Sequence, residues 1–247
     1  MADSKITRLA MWSGPRNLSS ALMRAWENRA DTCVVDEPFY ASFLSSSLVR
    51  HPMQEQVIAS QPTSTAEVIR KNLQNELTDG HTIQFQKHMT QHIIGEIDEV
   101  WFKSVKHAFL IRHPAEVVAS YSSKRESVTS MDIGFFQQKK LYDLAIQHGF
   151  KPPIVDAADI LKHPKDCLKA LCENLGLSFD ENMLHWPAGT RDSDGVWAEH
   201  WYQNVQHSNG FAPYRKKLVT LSSLEQDVVD ECMPIYNELH KQRIIPA

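Results

Sequence analysis

Residues 6–28 read ITRLAMWSGPRNLSSALMRAWEN. The apolar run Ile6–Trp12 has the length and composition of a buried strand, and a Ser-Gly-Pro turn ends it. The helix-compatible segment Leu18–Asn28 follows directly. This strand–turn–helix order predicts an α/β fold with a parallel sheet, because a crossover helix is the usual connection between parallel strands.

Further apolar runs alternate with helix-like segments along the rest of the chain. The other predicted strands are Thr32–Val35, Thr82–Gln86, Ala108–Ile111 and Pro153–Asp156. The other predicted helices are Ser64–Leu77, one that starts at Pro114, Gly134–His148, Pro164–Leu175 and Leu224–Lys241. The pattern predicts one domain over residues 1–247, with helices on both faces of a central parallel sheet and an aromatic-rich helical portion over 186–247.

Composition narrows the class of protein. The chain has 247 residues, 42% of them hydrophobic and 23% charged, which is typical of a globular α/β domain. A net charge of −4 gives no broad electrostatic hold on nucleic acid, so we expect no nucleic-acid partner.

The four cysteines, without CxxC spacing, are expected to be reduced packing residues of a cytosolic protein. The segment Met1–Lys5 lacks the apolar h-region of a signal peptide. No apolar stretch approaches about 18 residues, so a cytoplasmic chain without a membrane partner is predicted.

The turn after the first strand has the chemistry of an anion site. Its candidate residues are Ser13, Gly14, Pro15, Arg16, Asn17, Leu18, Ser19 and Ser20. Backbone N–H groups and hydroxyls at the start of a helix favour anions. The Walker A spacing and its lysine are missing, so Arg16 would supply the positive charge, and its planar fork suits a phosphate or sulfuryl group. A plain strand–turn–helix connection is the alternative interpretation.

A second constellation lies in residues 107–121, HAFLIRHPAEVVASY. A strand brings Arg112 to the edge of the sheet, and Pro114 occupies the first turn of the next helix. Ser120 lies about 9 Å further along that helix, from the rise per residue. The two side chains could hold one phosphate together. The alternatives are a surface ion pair for the arginine and helix packing for the serine.

Together the two constellations resemble the sulfotransferase family. In its members a strand–loop–helix holds the 5′-phosphosulfate of 3′-phosphoadenosine-5′-phosphosulfate (PAPS), and a later Arg with a Ser eight residues on holds the 3′-phosphate. Arg112 and Ser120 have that spacing of eight residues. Residues 155–164, VDAADILKHP, are a weaker third match. The resemblance implies a P-loop-containing nucleotide hydrolase-like fold, PAPS as sulfuryl donor, its desulfated form PAP as product, and no metal.

The chain departs from the family pattern at two places. Many cytosolic members have a loop lysine where this sequence has Arg16. The glycine-rich, basic C-terminal loop that closes over the donor in those members is not evident either. The available substitutes are Arg191, Arg215, Lys216 and Ser208-Asn209-Gly210, and the sequence does not choose among them.

Two residues are candidates for the base that takes a proton from the acceptor. Glu37 follows the second predicted strand and resembles the acidic base of some bacterial and carbohydrate sulfotransferases, with Asp36 as its structural partner. His88 follows the third predicted strand beside Lys87, and this pair resembles the Lys–His region of the cytosolic enzymes. An exposed turn carboxylate and a structural histidine are the respective alternatives. Arg16 and Lys87 are the candidate cations for the charge that builds on the bridging oxygen.

The aromatic residues of the C-terminal portion are candidates for an acceptor pocket or for the core. They are Trp186, Trp197, Trp201, Tyr202 and Phe211, with His200 among them. The resemblance implies an in-line transfer of a sulfuryl group to a hydroxyl or amine of a small acceptor. Two rival hypotheses are a P-loop kinase or other nucleotide phosphotransferase and a non-catalytic nucleotide-binding protein of the same fold. A homodimer is left open.

Overall fold

The computed structural model describes residues 6–77, 80–125, 127–216 and 218–246, so the leader expectation for Met1–Lys5 lies outside the described residues. Five parallel strands form one sheet in the order β2-β3-β1-β4-β5. They are β1 Thr7–Ser13, β2 Thr32–Asp36, β3 Ile83–Met89, β4 Lys106–Ile111 and β5 Ile154–Asp156. The predicted α/β fold with a central parallel sheet is confirmed.

Helices connect and cover the strands. They are α1 Ser19–Glu27, α2 Tyr40–Ser46, α3 Gln54–Ser60, α4 Thr65–Val68, α5 Glu99–Ser104, α6 Pro114–Ser122, α7 Phe135–Gln147, α8 Ala157–Lys162, α9 Pro164–Asn174, α10 Ala198–Trp201, α11 Gln203–Gln206 and α12 Ser223–Lys241. A π-helical turn, Ile69–Leu73, and two 3₁₀ turns, Thr90–His92 and Glu181–Leu184, complete the elements. Among the described residues, no helix is long and apolar enough to cross a membrane.

Alternate residues of β1 enter two separate cores. Leu9 and Met11 face the core that includes α1 and α9, whereas Ala10 and Trp12 face the core that includes α6, α7 and α12. Strand side chains point to opposite faces in turn, so β1 can be apolar throughout only when both faces of the sheet are covered. Helices on both faces explain the uninterrupted apolar run in the sequence.

The helix predicted over Ser64–Leu77 is shorter than expected. α4 ends at Val68 and the π-helical turn ends at Leu73. The side-chain amides of Gln84 and Gln86 in β3 donate to the carbonyls of Asn72 and Leu73 at 3.0 and 3.1 Å. These bonds occupy carbonyl oxygens that a further helical turn would have used, and they tie the end of the helix to the sheet.

Strand β3 is longer than predicted. It pairs with β1 up to the couple Ser13 and Met89, so Lys87 and His88 lie inside the strand and not after it. Consecutive strand residues face opposite sides, and the two side chains therefore enter different environments. This extension decides how the candidate base at 88 is placed.

Candidate active site

A cavity of about 570 Å³ lies at the carboxyl edge of the sheet. The loop before α1, the residue after β2, the end of β3, helix α6 and the segment 201–215 all contribute to its lining. The strands that follow β1 in the chain lie on both sides of it in the sheet, with β2 and β3 on one side and β4 and β5 on the other. A crevice at such a reversal of the strand order is the usual ligand site of open parallel sheets. The two sequence constellations therefore meet at one place.

The loop before α1 is held in an unusual backbone conformation. A Cβ on Gly14 would lie 2.4 Å from the carbonyl oxygen of Ile133, so only glycine fits there. Arg16 and Leu18 have φ angles of 62° and 73°, a left-handed region that side chains disfavour. Residues 15–20 line the cavity, while Ser13 is buried behind them.

The first turn of α1 has no side-chain cap, since Leu18 occupies the N-cap position. Capping side chains normally accept hydrogen bonds from the first helical N–H groups. Because Ser19, Ser20 and Ala21 of this first turn line the cavity, and two of them carry hydroxyls, the turn suits an anionic ligand.

Two guanidinium groups approach each other across the cavity. Arg16 Nε donates to Ser120 Oγ at 3.0 Å, and Arg112 donates through Nη1 to the carbonyl oxygen of Arg16 at 2.8 Å. Burial, together with the charge of Arg112, lowers the pKa of Arg16. The site thus disfavours the positive charge of Arg16 until an anion offsets it.

The charge of Arg112 is balanced inside the protein. Its Nε and Nη2 donate to Glu116 Oε2 at 2.9 and 2.8 Å. Over the described ranges, neither Arg16 nor Arg215 of the cavity wall has a carboxylate within 4 Å, so both cations are left for a ligand, and Arg16 is the one in the loop before α1. Ser120 hydrogen bonds with Arg16 and not with Arg112. The predicted phosphate-binding pair of Arg112 and Ser120 is therefore a group of three residues with Arg16 at its centre. These residues suit an anionic ligand.

A buried charge cluster lies at the far wall of the cavity. Lys87 Nζ donates to Asp36 Oδ1 at 2.9 Å, to Glu37 Oε1 at 2.5 Å and to Tyr202 Oη at 2.6 Å. Tyr202 in turn donates its hydroxyl proton to Asp36 at 2.7 Å. Burial opposes the charge of Lys87, but Asp36 and Glu37 outweigh it and raise its pKa well above the ordinary value. Lys87 is therefore a fixed cation that is already paired.

Glu37 is the carboxylate of this cluster that reaches the cavity. Its φ angle of 40° is strained for glutamate and is maintained by hydrogen bonds, because its N–H donates to Lys87 O at 2.9 Å and its carbonyl accepts from Tyr40 N at 3.0 Å. Burial raises the pKa of the Glu37 carboxyl, and the charge of Lys87 only partly opposes this shift. A carboxylate with a raised pKa is a better proton acceptor than an exposed glutamate.

His88 lies on the other face of the sheet, outside the lining of the cavity. Its ring stacks on Trp12 at 4.5 Å and on Phe39 at 5.5 Å, and it hydrogen bonds with Gln86. Burial lowers its pKa well below the ordinary value, so the ring is neutral. The geometry thus favours Glu37 over His88 as the group that can meet an acceptor.

Another histidine, not singled out by the sequence, faces the cavity instead. His92 follows β3 in a 3₁₀ turn, stacks on Tyr40 at 4.4 Å, and has Nδ1 4.0 Å from Glu37 Oε2. Burial lowers its pKa well below the ordinary value. His92 therefore places an uncharged ring beside the Glu37 carboxylate, packed on Tyr40.

Residues of the C-terminal segment 201–215 form another wall of the cavity. Of the proposed substitutes for the missing glycine-rich loop, Ser208, Gly210 and Arg215 line it, whereas Arg191 bonds to Pro187 O elsewhere. The aromatic residues divide between the two interpretations. Trp201, Tyr202 and Phe211 line the cavity, whereas Trp186, Trp197 and His200 do not.

Sequence reasoning missed several residues of the site: Tyr40, His51, His92, Glu116 and the link between Tyr202 and Asp36. Glu116 had a detectable signal, because it follows Arg112 by four residues on the next helix. The other contacts join distant parts of the chain. No group of three or more metal-ligating side chains is found in the part of the chain that the structure describes.

Comparison with known proteins assigns the family. A sequence profile described as "Sulfotransferase domain" matches residues 7–243. The chain belongs to this sulfotransferase family. It is 32% identical to "Branched-chain-amino-acid aminotransferase-like protein 1" of Arabidopsis thaliana, over 97% of this chain and 42% of the relative. A second relative from that plant, "Branched-chain-amino-acid aminotransferase-like protein 2", is 31% identical over 96% of this chain and 43% of its own length. The sulfotransferase chain thus spans less than half the length of these relatives.

Solved structures support the sulfotransferase fold. "Sulfotransferase Domain from the Curacin Biosynthetic Pathway" aligns with a TM-score of 0.53 and 14% identity, over 92% of this chain and 98% of its own. "Crystal Structure of Sulfotransferase from Alicyclobacillus acidocaldarius" aligns with a TM-score of 0.57 and 11% identity, over 97% of each chain. At these identities the likeness concerns the fold.

Replacing Tyr202 by phenylalanine is expected to destabilise this protein by about 1–3 kcal/mol, because the buried Asp36 and Lys87 each lose a hydrogen-bond partner. Tyr142→Phe is the matched control, since within the described residues its hydroxyl has a single hydrogen-bond partner, the side chain of Gln242 just after α12. Urea unfolding gives both free energies of unfolding. Equal losses in the two variants would show that the Tyr202 hydroxyl does not support the charge cluster.

Proposed function

We propose that this chain transfers a sulfuryl group from PAPS to a hydroxyl or amine of a small acceptor. The observation that carries the proposal is the meeting of Arg16, Ser120 and Arg112 above the uncapped start of α1. Such a set of donors suits a ligand with separated phosphate and phosphosulfate groups. The loop at 13–20 would hold the 5′ side of the donor, and Arg112 with Ser120 would hold the 3′-phosphate.

In this proposal Glu37 is the base. The bound donor supplies the sulfuryl group: the acceptor oxygen or nitrogen forms the new bond to sulfur, the bond from sulfur to the bridging oxygen breaks, and PAP leaves. Glu37 takes the proton that the acceptor loses, and burial favours this transfer by raising its pKa.

The two candidate cations have different roles in the proposal. Lys87 is fully engaged by Asp36, Glu37 and Tyr202, so it positions the Glu37 carboxylate and does not need to move. Arg16 has no carboxylate partner within the described ranges, and it therefore meets the charge that builds on the donor's bridging oxygen.

The names of the two plant relatives contain the word aminotransferase. The matched part of each relative is the part that aligns with this sulfotransferase-family chain, and more than half of each relative lies outside the alignment. We infer that the aminotransferase-like property in those names belongs to the unmatched part. The cytoplasmic location, a homodimer and the expectation of no nucleic-acid partner stay predictions.

Calorimetry with PAP, PAPS and ATP plus Mg²⁺ tests the proposal against its rivals. Tight binding of PAP together with a sulfated product, detected by mass spectrometry over a panel of alcohols and amines, is the expected result. Binding of ATP with Mg²⁺ but not of PAP would indicate the phosphotransferase. Tight PAP binding without any sulfated product would indicate the non-catalytic binding protein.

A further inference from the structure

A second cavity of about 710 Å³ adjoins the candidate active site. His51 and Gln91 line both cavities, so the two spaces meet at these side chains. Tyr40 Oη lies 2.8 Å from His51 Nδ1, and Tyr40 N donates to the carbonyl of Glu37. The proposed base is therefore one residue contact away from the junction. A ligand that contacts Glu37 from the side of His51 and Gln91 can therefore extend into this second cavity.

The wall of the second cavity is mostly apolar. Its apolar members include Phe43, Val49, Ile93, Ile94, Met131 and Leu144. Ile94 and Met131 are 51% and 57% exposed, and they line the same cavity, so the aliphatic surface that they expose belongs to one wall. A ligand with a hydrocarbon portion would remove this surface from water, and each buried methylene would add to its affinity.

A few polar atoms stand at defined points of the same wall. Within the described ranges, the buried atoms Ser47 Oγ, Gln91 Oε1 and Gln137 Oε1 have no hydrogen-bond partner. Gln91 is the one at the junction. Its side chain lines both cavities, so its amide is a polar group beside the path of a ligand that passes from one cavity to the other. Apolar walls with a few oriented polar atoms are the usual form of a small-molecule site.

The charges around the second cavity limit what the tail can carry. Glu96, Glu99 and Asp132 line it against a single ammonium, that of Lys140. Lys103 neutralises Glu99, whereas Asp132 accepts only from the uncharged Thr129 and keeps its charge. Glu96 and Asp132 therefore exceed Lys140 by one negative charge. Such a wall gives no attraction to an anionic tail, and an anionic tail would lose its hydration on entry.

From the adjacency of the two cavities, which share His51 and Gln91 as lining residues, and from the exposed aliphatic wall we infer that the acceptor is an elongated alcohol or amine with an uncharged apolar tail. Its hydroxyl or amino group lies at Glu37, and its tail passes His51 and Gln91 into the second cavity. This inference rests on the proposed function for the reacting end. The part of the inference that concerns the apolar tail requires only that the ligand binds, and it does not require that the ligand is sulfated.

The test uses a series of linear primary alcohols and primary amines, from two to ten carbons, with the full chain loaded with PAP. We expect the dissociation constant, measured by calorimetry, to fall about fourfold for each added methylene until the cavity is filled. With PAPS in place of PAP, the KM for the acceptor should follow the same trend while kcat changes little. An affinity that does not depend on chain length would overturn the inference.

Two matched variants locate the tail. Ile94→Glu should raise the dissociation constant of the longest members at least tenfold, leave that of the two-carbon members unchanged and leave PAP affinity unchanged. Ile146→Glu is the control, because Ile146 is similarly exposed, at 45%, on α7 but lines neither cavity. Equal effects of the two variants would overturn the inference. So would a dimer in sedimentation experiments that Ile94→Glu dissociates, because a second copy of the chain would then cover the Ile94 surface.

Failure of the inference and failure of the proposed function give different results. Sulfated products whose formation is independent of chain length would contradict the apolar tail and leave the sulfotransferase proposal in place. Binding that strengthens with chain length, without any sulfated product from PAPS, would support the tail site and contradict the proposed function.

Discussion

Replacing Glu37 by glutamine is expected to lower kcat/KM for the acceptor by about 10²- to 10⁴-fold, the usual contribution of a general base. Glutamine keeps the shape of the side chain and can still accept the hydrogen bond from Lys87. It cannot take the proton that the acceptor loses. PAP affinity should change less than about threefold, because the donor side of the cavity is formed by Arg16, Ser120 and Arg112.

The pH dependence of turnover gives a second readout for Glu37. The carboxylate must be deprotonated to act as base, so activity should decrease as the pH falls through its pKa. Burial raises that pKa, and the acidic decline should therefore begin at a higher pH than the ordinary glutamate value of about 4.3. Glu37→Gln should remove this decline from the residual activity.

Glu55→Gln, in the exposed first turn of α3, is the control and should retain full activity. Wild-type turnover in Glu37→Gln would transfer the role of base to another group or to solvent. Initial rates with a saturating donor, measured over a range of pH, decide between these outcomes.

Replacing Arg16 by alanine is expected to weaken PAP binding by about 2–4 kcal/mol, which corresponds to about 30- to 1000-fold. Arg16 is the guanidinium whose pKa is lowered in the protein by burial and by Arg112, so an anion is what offsets its charge. The free energy of unfolding without PAP should fall by no more than about 1 kcal/mol, because the lost bond to Ser120 is partly offset by the lost repulsion.

Two further variants complete the experiment on Arg16. Arg16→Lys should recover part of the affinity, since lysine restores the charge but not the planar fork that reaches Ser120. Arg8→Ala, at the opposite end of β1, removes an arginine that donates to Asn75 O and should leave PAP affinity unchanged. Calorimetric titration of PAP into each folded variant measures the effect. Wild-type affinity in Arg16→Ala would mean that the loop does not hold the donor.

Local signals in the sequence were sufficient to predict the sheet and the position of Arg112 between a strand and a helix. The apolar run before Ser13 predicted a strand covered on both faces, and the structure has it at the centre of the sheet. Arg112 follows a strand and precedes a helix that starts at Pro114, as the pattern indicated. Both features depend on residues close together in the chain, where spacing and secondary structure determine position.

The acceptor side depended on information that local patterns do not contain. Strand β3 ends three residues later than predicted, at Met89 instead of Gln86, and His88 therefore packs between Trp12 and Phe39 instead of lying at the cavity. Pairing with β1 sets that end, and pairing is a long-range interaction. The hydrogen bond from Tyr202 to Asp36 likewise joins the C-terminal segment to β2, and nothing near either residue in the sequence indicates it.

The central place of β1 has a consequence for how the chain acquires its structure. Thr7 pairs with Ile83 and Leu9 pairs with Lys106, so both neighbours of the first strand are made long after it. Until Ile111 has been synthesised, an apolar segment that ends in the Arg16 loop has at most one partner strand in the sheet. Closing such large loops delays folding relative to helical proteins of the same size. During synthesis this segment is therefore exposed to aggregation, and it is the part of the nascent chain that a chaperone would most need to cover.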